Sequence, residues 1–287
     1  MVLNINQQTL STKTAQSDAE IQPSSLSRIS QSKISASNQS QDYQSNDMRM
    51  NGEKKLDSSL QDTTRVFRHP GIKDTVVSAL TDRQSPEVPF HAMIVGVGYQ
   101  SKMPHSPQTD EVSLAMQGHE NTCLTLIDND AYNLKLARTN AIENEVPTLV
   151  RQMDAAKPDQ LHKNSIDVLI CTNTLIYPFK NMGRVQRAKI IGHWVDRLKP
   201  EGKMLIDLPS LALAVSSSKT TALDICKKLS SPHTMMIGTG MIQKLINKQL
   251  NELEHSSFPE IKLKAVFDPN MPDPTIVVTR ATPSTQA

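Results

Sequence analysis

The stretch Phe90-His-Ala-Met-Ile-Val-Gly-Val-Gly-Tyr-Gln100 is an apolar run that ends in two closely spaced glycines. It predicts a buried β-strand and a tight turn, because glycine adopts backbone conformations that other residues avoid. Cys123-Leu-Thr-Leu-Ile-Asp128 is a second apolar run, and it ends in a carboxylate. Two such strands joined by a helix predict a βαβ unit. In such a unit the glycines let a nucleotide approach the backbone, and the acid accepts a hydrogen bond from a ribose hydroxyl. The pattern favours an adenosine-containing cofactor.

Strand and helix patterns alternate along most of the remaining chain. The predicted strands are Ala92–Val95, Cys123–Ile127, Thr148–Arg151, Ile166–Cys171, Lys203–Asp207, Ile261–Phe267 and Thr275–Thr279. The predicted helices are Ile72–Leu80, Asp110–Gln117, Asp130–Asn144, Arg184–Leu198, Thr220–Leu229 and Met241–Glu254, with a loop over Tyr99–Thr109 and a turn at Lys199–Gly202. This order predicts an α/β fold with a Rossmann-like, doubly wound, mostly parallel sheet. The last two strands are too close for a helical crossover, so an antiparallel C-terminal hairpin is expected at one edge.

Residues 1–60 differ from the rest of the chain in composition. They contain 13 Ser and 8 Gln but one aromatic residue, Tyr43, and their apolar residues stand singly. Such a segment buries too little apolar surface to offset the entropy of ordering it. We therefore expect a disordered tail over 1–60 and a single globular domain over 61–287.

The net charge and the positions of the cysteines indicate which binding partners and which cellular compartment are expected. The formal net charge is +2 and the basic residues are spread along the chain, so nucleic acid is not an expected partner. The three cysteines are far apart and lie mostly in apolar runs, which is typical of buried thiols in a reducing compartment such as the cytoplasm. No apolar run is long enough for a membrane span, and no spacing of ligand residues predicts a metal site. The Ser-rich tail also raises the hypothesis of export through a bacterial type III system.

Four segments form a further pattern in a fixed order. They are Thr64-Arg-Val-Phe67-Arg68, Gly96-Val-Gly98 followed by Asp110-Glu-Val-Ser113-Leu-Ala-Met116, the acid Asp128, and Cys171-Thr-Asn173-Thr-Leu175-Ile-Tyr177. This succession resembles the CheR-type family of S-adenosylmethionine-dependent methyltransferases, which methylate glutamate side chains of bacterial chemotaxis receptors. In that family the first motif reads Thr-x-Phe-Phe-Arg and the last reads Cys-Arg-Asn-Val-Leu-Ile-Tyr-Phe. The resemblance covers about half of the chain, from residue 62 to residue 207.

The chain departs from the family in several places. Thr172 stands where the family has Arg, and an insertion over Tyr99–Thr109 lengthens the glycine loop. The Ser/Gln-rich tail occupies the place of the family's N-terminal helical domain. The interval between Asp128 and Asp167 is too short for the β subdomain that docks on receptors. The resemblance is thus to the cofactor-binding half of the family and to part of its catalytic strand tip.

The resemblance implies S-adenosyl-L-methionine as cofactor and a set of site residues. The implied cofactor-binding residues are Thr64, Arg68, Gly96, Gly98, Asp128, Asp154 and Asn173, and the implied catalytic residues are Tyr177 and Asn173. Gly96, Gly98 and Asp128 would position the adenosine, and Asp154 would lie near the adenine amino group. Asn173 would hold the amino acid end of the cofactor. Tyr177 would orient the group that receives the methyl.

Most of these residues also have a purely structural interpretation. Gly96 and Gly98 could serve only a tight turn, and Arg68 could be an ordinary surface arginine. Asp128 could cap the following helix instead of binding a ribose. Asp154 could be a solvated loop acid, Asn173 a turn residue and Tyr177 a half-buried side chain. The sequence leaves these alternatives open.

Three functions are compatible with the sequence. The first is methyl transfer to a carboxylate or another side chain of a protein. The second is a catalytically inactive binding protein of the same fold, suggested by Thr172 and the longer glycine loop. The third is a small-molecule methyltransferase in which residues 208–254 form a lid. An NAD-dependent dehydrogenase is disfavoured, because Gln100 stands where its fingerprint requires a third glycine.

Overall fold

The computed structural model describes residues 69–97, 107–229, 231–253, 259–268 and 274–282. The strands are β1 (Phe90–Val95), β2 (Thr122–Asp128), β3 (Thr148–Gln152), β4 (Ile166–Cys171), β5 (Leu198–Asp207), β6 (Ile261–Val266) and β7 (Thr275–Arg280). The helices are α1 (Ile72–Thr81), α2 (Pro107–Met116), α3 (Ala131–Glu143), α4 (Ile176–Phe179), α5 (Arg184–Arg197), α6 (Leu208–Val215), α7 (Lys219–Lys228) and α8 (Pro232–Leu253). The predicted tail over 1–60 lies outside the described residues.

The seven strands form one sheet in the order β3-β2-β1-β4-β5-β7-β6. The first five strands are parallel, whereas β7 runs antiparallel to both β5 and β6. The chain builds outward from β1 to β3, and then returns to place β4 on the other side of β1. The prediction of a Rossmann-like, mostly parallel sheet with an antiparallel C-terminal hairpin is confirmed.

Helices cover both faces of the sheet. Along β1, Phe90, Ala92 and Ile94 pack with α1, α2 and α3, whereas Met93 and Val95 pack with the layer that contains α5, α6 and α8. Alternate residues of a strand point to opposite faces, so a strand covered on both sides must be apolar throughout. This requirement explains the uninterrupted apolar runs of β1, β2 and β4. Among the described residues, no helix has both the length and the apolar composition needed to cross a bilayer.

Several element boundaries differ from the predictions. Helix α2 begins at Pro107 instead of Asp110, so the end of the predicted loop is helical; proline suits the first turn because no helical N–H bond is lost there. Strand β5 extends over Leu198–Asp207, and the predicted turn is an irregularity within it, with Glu201 at φ 60°. Helix α8 begins at Pro232, well before the predicted Met241.

Helix α6 was not predicted, and it changes the interpretation of the segment after β5. All eight of its residues are buried, and Leu211 and Leu213 belong to the core beneath the sheet. In α8, Met235, Ile242 and Ile246 join the same core. The expectation that residues 208–254 form a lid is therefore wrong for α6 and for the inward face of α8, because their apolar side chains hold them against the sheet.

Candidate functional site

The turn after β1 connects the first two strands. Gly96 has φ +72°, and its N–H donates to the carbonyl of Ile127 at 2.7 Å. The next N–H, that of Val97, donates to Oδ2 of Asp128 at 3.1 Å. These two bonds place the acid at the tip of β2 directly beside the glycine turn. Gly98, the second predicted glycine, lies outside the described residues.

Gly96 is also in close contact with the tip of β4. A Cβ atom at this position would lie 1.9 Å from Oγ1 of Thr174, far inside the distance of any real contact. The Thr174 hydroxyl donates to the carbonyl of Val95 at 2.8 Å, which holds it against the turn. The tight-turn interpretation of Gly96 thus has a full structural explanation, in which neighbouring strand tips pack without a side chain between them.

Asp128 does not cap the helix that follows it. Asp130 is the N-cap of α3, and its carboxylate accepts the N–H of Tyr132 at 2.7 Å. Asp128 is half-buried and uses one oxygen for Val97 and the other for the N–H of Asp130, at 2.9 Å. A carboxylate offers about four acceptor positions, so the described residues leave two of them for hydroxyl donors. The alternative in which helix capping occupies Asp128 is therefore removed.

Asp154 lies after β3, at the same edge of the sheet. The N–H of Met153 donates to the carbonyl of Asp128 at 2.9 Å, which joins this segment to the tip of β2. The Asp154 side chain is exposed, and its Oδ1 accepts the N–H of Ala156 at 2.8 Å. This local turn gives Asp154 a structural role.

Asn173, at the tip of β4, forms hydrogen bonds with two other segments of the chain. It has φ 56°, a left-handed conformation that asparagine tolerates better than most residues. Its backbone N–H donates to Oδ2 of Asp207 at 2.7 Å, and its side-chain Nδ2 lies 3.0 Å from Nε2 of His69. The residue is thus fixed from two sides, by the tip of β5 and by the segment that precedes α1.

Asp207 is buried and is held by several donors. Besides Asn173, it accepts the N–H of Ser210 at 2.8 Å and the Ser210 hydroxyl at 2.7 Å, which makes it the N-cap of α6. Three hydrogen bonds stabilise a carboxylate that burial would otherwise penalise. Burial and the nearby Asp207 together raise the pKa of the Cys171 thiol well above its usual range, which disfavours the reactive thiolate form of this buried cysteine.

Tyr177 lies in the short helix α4, beyond the tip of β4. Its side chain is 56% exposed, and the Lys180 ammonium lies 5.7 Å from the centre of its ring. A tyrosine in this position can be reached from solvent, even by a group on a large molecule.

One buried polar atom near the tip of β4 has no hydrogen-bond partner within the described part of the chain. Gln108, in the first turn of α2, is 5% exposed, and its Nε2 donates to the Thr172 hydroxyl at 2.6 Å. Its Oε1 is fully buried and accepts no hydrogen bond from any residue that the structure describes. An orphaned acceptor beside the tip of β4 suits a ligand that carries an N–H or O–H group.

The residues present fit S-adenosylmethionine on chemical grounds. The ligand has ribose hydroxyls, which can donate hydrogen bonds to a carboxylate such as that of Asp128. It also has an ammonium group, which can donate a hydrogen bond to an amide oxygen such as that of Gln108. The described residues do not bring three His, Cys, Asp or Glu side chains together in a way that could hold a metal ion.

The structure brings some of the predicted residues together and leaves others apart. Gly96, Asp128 and Asn173 belong to the connected strand tips of β1, β2 and β4, while Asp154 and Tyr177 lie beyond the ends of β3 and β4. Thr64, Arg68 and Gly98 lie outside the described residues. The sequence prediction missed His69, Gln108, Thr174 and Asp207. Asp207 could have been found from the sequence, since it ends an apolar strand in the same way as Asp128.

A separate cleft of about 460 Å³ lies between α5 and α8. It is lined by Arg184, Val185, Ala188, Gln249 and Glu252. None of these residues belongs to the strand-tip group, so the cleft is not part of the candidate site.

Comparison with known proteins gives a likeness of fold only. No protein-family model and no curated protein matches the sequence. A protein of Corynebacterium glutamicum is 11% identical, with a TM-score of 0.44 over 79% of this chain and 89% of that one. The precorrin-6y C5,15-methyltransferase of Geobacter metallireducens is 13% identical, with a TM-score of 0.39 over 73% and 87%. A methyltransferase of Pyrococcus furiosus is 13% identical, with a TM-score of 0.41 over 73% and 83%. TM-scores of this size carry no argument about family or activity.

Proposed function

We propose that this protein is an S-adenosylmethionine-dependent methyltransferase. Open parallel sheets bind ligands outside the carboxyl ends of the strands, where the order of the strands reverses. In this sheet the reversal lies between β1 and β4. The observation that carries the proposal is the hydrogen bond from Val97 to Asp128, because it joins the glycine turn to an acid with free acceptor positions. The five parallel strands and terminal hairpin also agree with the fold that the sequence resemblance implies.

Different residues would bind different parts of the cofactor. Gly96 and Asp128 would position the adenosine, and Asp154 would lie on the adenine side. Asn173 would hold the amino acid end, supported by its fixed backbone at the tip of β4. Three further contacts, through Thr64, Arg68 and Gly98, are proposed from the sequence alone. A guanidinium fork such as that of Arg68 suits the cofactor's carboxylate.

The chemistry asks little of the protein beyond positioning. When bound, the cofactor supplies a methyl group on a sulfonium, which is already activated for displacement. The chain's own residues must align the acceptor and exclude water. We propose that Tyr177 orients the acceptor group, and that the acceptor is a carboxylate or another side chain of a protein. A carboxylate is ionised at neutral pH and needs no general base. The exposure of Tyr177 supports an acceptor carried on a macromolecule.

A second candidate is a binding protein of the same fold that does not transfer methyl groups. Thr172 favours it, because this buried residue replaces the arginine that the resemblance would require and bonds to Gln108 instead. Such a protein would bind the cofactor without turnover.

The first experiment is a calorimetric titration of the full chain with S-adenosylhomocysteine. We compare the wild type with Asp128→Ala and use Asp167→Ala as the matched control. Asp167 also accepts a backbone N–H, that of His91 at 2.7 Å, but it lies near the opposite end of the parallel strands. Hydrogen bonds to a charged group contribute about 1.5–3 kcal/mol, so Asp128→Ala should weaken binding roughly 10- to 100-fold. The control should bind as the wild type does.

Two outcomes would contradict the proposal. If the folded wild type does not bind S-adenosylhomocysteine, the cofactor assignment fails. If both variants lose affinity equally, the acid at the tip of β2 has no special role.

Turnover is tested separately with isotope-labelled S-adenosylmethionine and a protein mixture as acceptor. A methyl ester releases methanol in alkali, whereas methylated amines do not, so base lability identifies a carboxylate acceptor. Tyr177→Phe should lower transfer while leaving the affinity for S-adenosylhomocysteine unchanged. Binding without any transfer would favour the second candidate.

A further inference from the structure

His69 is a buried histidine that belongs to none of the predicted site residues. Its side chain is 4% exposed, on the segment immediately before α1. Its ring Nε2 lies 3.0 Å from Nδ2 of Asn173, the residue proposed to hold the amino acid end of the cofactor. Nothing in the sequence indicated this contact, since the two residues are more than a hundred positions apart.

The contact restricts which end of the Asn173 amide is free. An asparagine side chain has one donating end, the NH₂ group, and one accepting end, the oxygen. A neutral imidazole whose proton is on Nδ1 accepts at Nε2, so it binds the NH₂ group and leaves Oδ1 for another donor. A protonated ring would carry a hydrogen on Nε2 as well, and the amide nitrogen cannot accept it. Protonation would thus force the amide to rotate and exchange its two ends.

The surroundings keep the ring neutral near neutral pH. Burial lowers the pKa of the His69 imidazole from its ordinary value of 6.5, while the Asp207 carboxylate acts in the opposite direction. On the neighbouring helices, Lys73 and Asp74 of α1 are exposed, and Asp110 of α2 accepts a hydrogen bond from Asn140. Among the described residues, the Asp207 carboxylate is the charge that acts on the ring.

We propose that His69 is a positioning residue that orients the Asn173 amide, so that its oxygen is offered to a hydrogen-bond donor of the ligand. This inference rests on the proposed function, and in S-adenosylmethionine the donor is the ammonium of the amino acid part. The site then prefers ligands with an ammonium group while the ring is neutral and loses this preference once the ring is protonated.

The test compares two ligands over a range of pH on the full chain. S-adenosylhomocysteine carries the amino acid part, whereas 5′-methylthioadenosine has the same adenosine without it. Their affinity ratio isolates the amino acid end from other titrations. In the wild type this ratio should fall by up to about tenfold per pH unit below the pKa of His69, the limit for one linked proton.

Two variants and one control separate positioning from stability. In His69→Gln, the amide oxygen can accept where Nε2 did but cannot be protonated, so the ratio should stay high and become independent of pH. In His69→Leu the acceptor is lost, so the ratio should be low at every pH. His91→Gln is the matched control, because burial also lowers the pKa of His91 but its ring contacts Thr125 and Ser165. It should behave as the wild type.

The results also distinguish this inference from the proposed function. A wild-type ratio that does not change with pH, or that changes equally in His69→Gln, overturns the role of His69 while cofactor binding stands. Failure of the folded protein to bind either ligand overturns both. Nitrogen NMR of the His69 ring gives a check without ligand: the neutral tautomer should carry its proton on Nδ1, and a proton on Nε2 would refute the inference.

Discussion

Replacing Gly96 with alanine should destabilise the protein by about 2–5 kcal/mol, and two separate costs produce this value. The φ angle of +72° lies in the left-handed region, which costs an L-residue about 1–2 kcal/mol. The added Cβ would also lie 1.9 Å from Oγ1 and 2.7 Å from Cβ of Thr174. Overpacking of this kind costs about 1–3 kcal/mol, because the tips of β1 and β4 must move apart.

A second glycine in the chain separates the two costs. Gly118 has nearly the same φ, +75°, but an added Cβ there would meet no atom of the described residues within 4 Å. Gly118→Ala should therefore cost only the backbone term, about 1–2 kcal/mol. Thr174→Gly removes the three atoms nearest to the new Cβ, which are Oγ1, Cγ2 and Cβ of Thr174, so in that background Gly96→Ala should cost about as much as Gly118→Ala. The coupling between Gly96 and Thr174 should then be about 1–3 kcal/mol in a double-mutant cycle.

Urea denaturation followed by fluorescence provides the assay. Trp194 is the single tryptophan of the chain and is fully buried, so its emission reports the loss of the core. Equal costs for Gly96→Ala and Gly118→Ala, within about 0.5 kcal/mol, would refute the role given to Thr174. The glycine at position 96 would then be required by the backbone alone.

Three further predictions concern buried polar groups. Gln108→Leu combined with Thr172→Val should leave the free energy of unfolding unchanged or raise it. Thr172→Val alone should lower it by about 1–3 kcal/mol, because neither end of the Gln108 amide would then have a partner among the described residues; urea denaturation of these two variants and the wild type checks this. Asp207→Asn should cost about 2–4 kcal/mol in the same assay, because one amide oxygen cannot accept three donors; a cost below about 1 kcal/mol would argue against the buried network. Burial lowers the pKa of His91 from its ordinary value of 6.5, so the unfolded chain binds this proton more readily. The contribution of His91 to the free energy of unfolding should therefore be constant well above pH 6.5 and decrease as the pH falls below it. His91→Gln should remove part of this loss in unfolding curves between about pH 5 and pH 7.5, and an unchanged pH dependence would contradict it.

The elements of the fold could be predicted wherever one local rule decided them. Strands β1, β2 and β4 are covered on both faces, and this burial requires unbroken apolar runs that are visible in the sequence. The short spacing between β6 and β7 likewise left an antiparallel hairpin as the natural arrangement. Helix α6 was missed because it is apolar on all sides and only eight residues long. A helix of that kind shows no amphipathic period, and its burial depends on neighbours far away in the chain.

In the candidate site, too, local motifs could be predicted from the sequence, whereas contacts between distant segments could not. The sequence contained the types of residue, a glycine turn after one strand and acids at the tips of others, because these follow each other in short motifs. It could not show that Asp130, and not Asp128, would be the helix cap, since both acids are suitable caps. Thr174 beside Gly96 and His69 beside Asn173 are contacts between distant segments, which no local pattern specifies.

The sequence by itself determined that a parallel sheet would form and that chemically useful residues would stand at the ends of its strands. Apolar periodicity and turn chemistry act over a few residues, so they can be recognised in the sequence alone. Only the tertiary structure decided what each of those residues touches. Placing β4 next to β1 brings Thr174 against Gly96, and the ends of β4 and β5 join Asn173 to Asp207. The partners of a side chain at a strand tip are thus set by the order of the strands, which depends on how the whole chain packs.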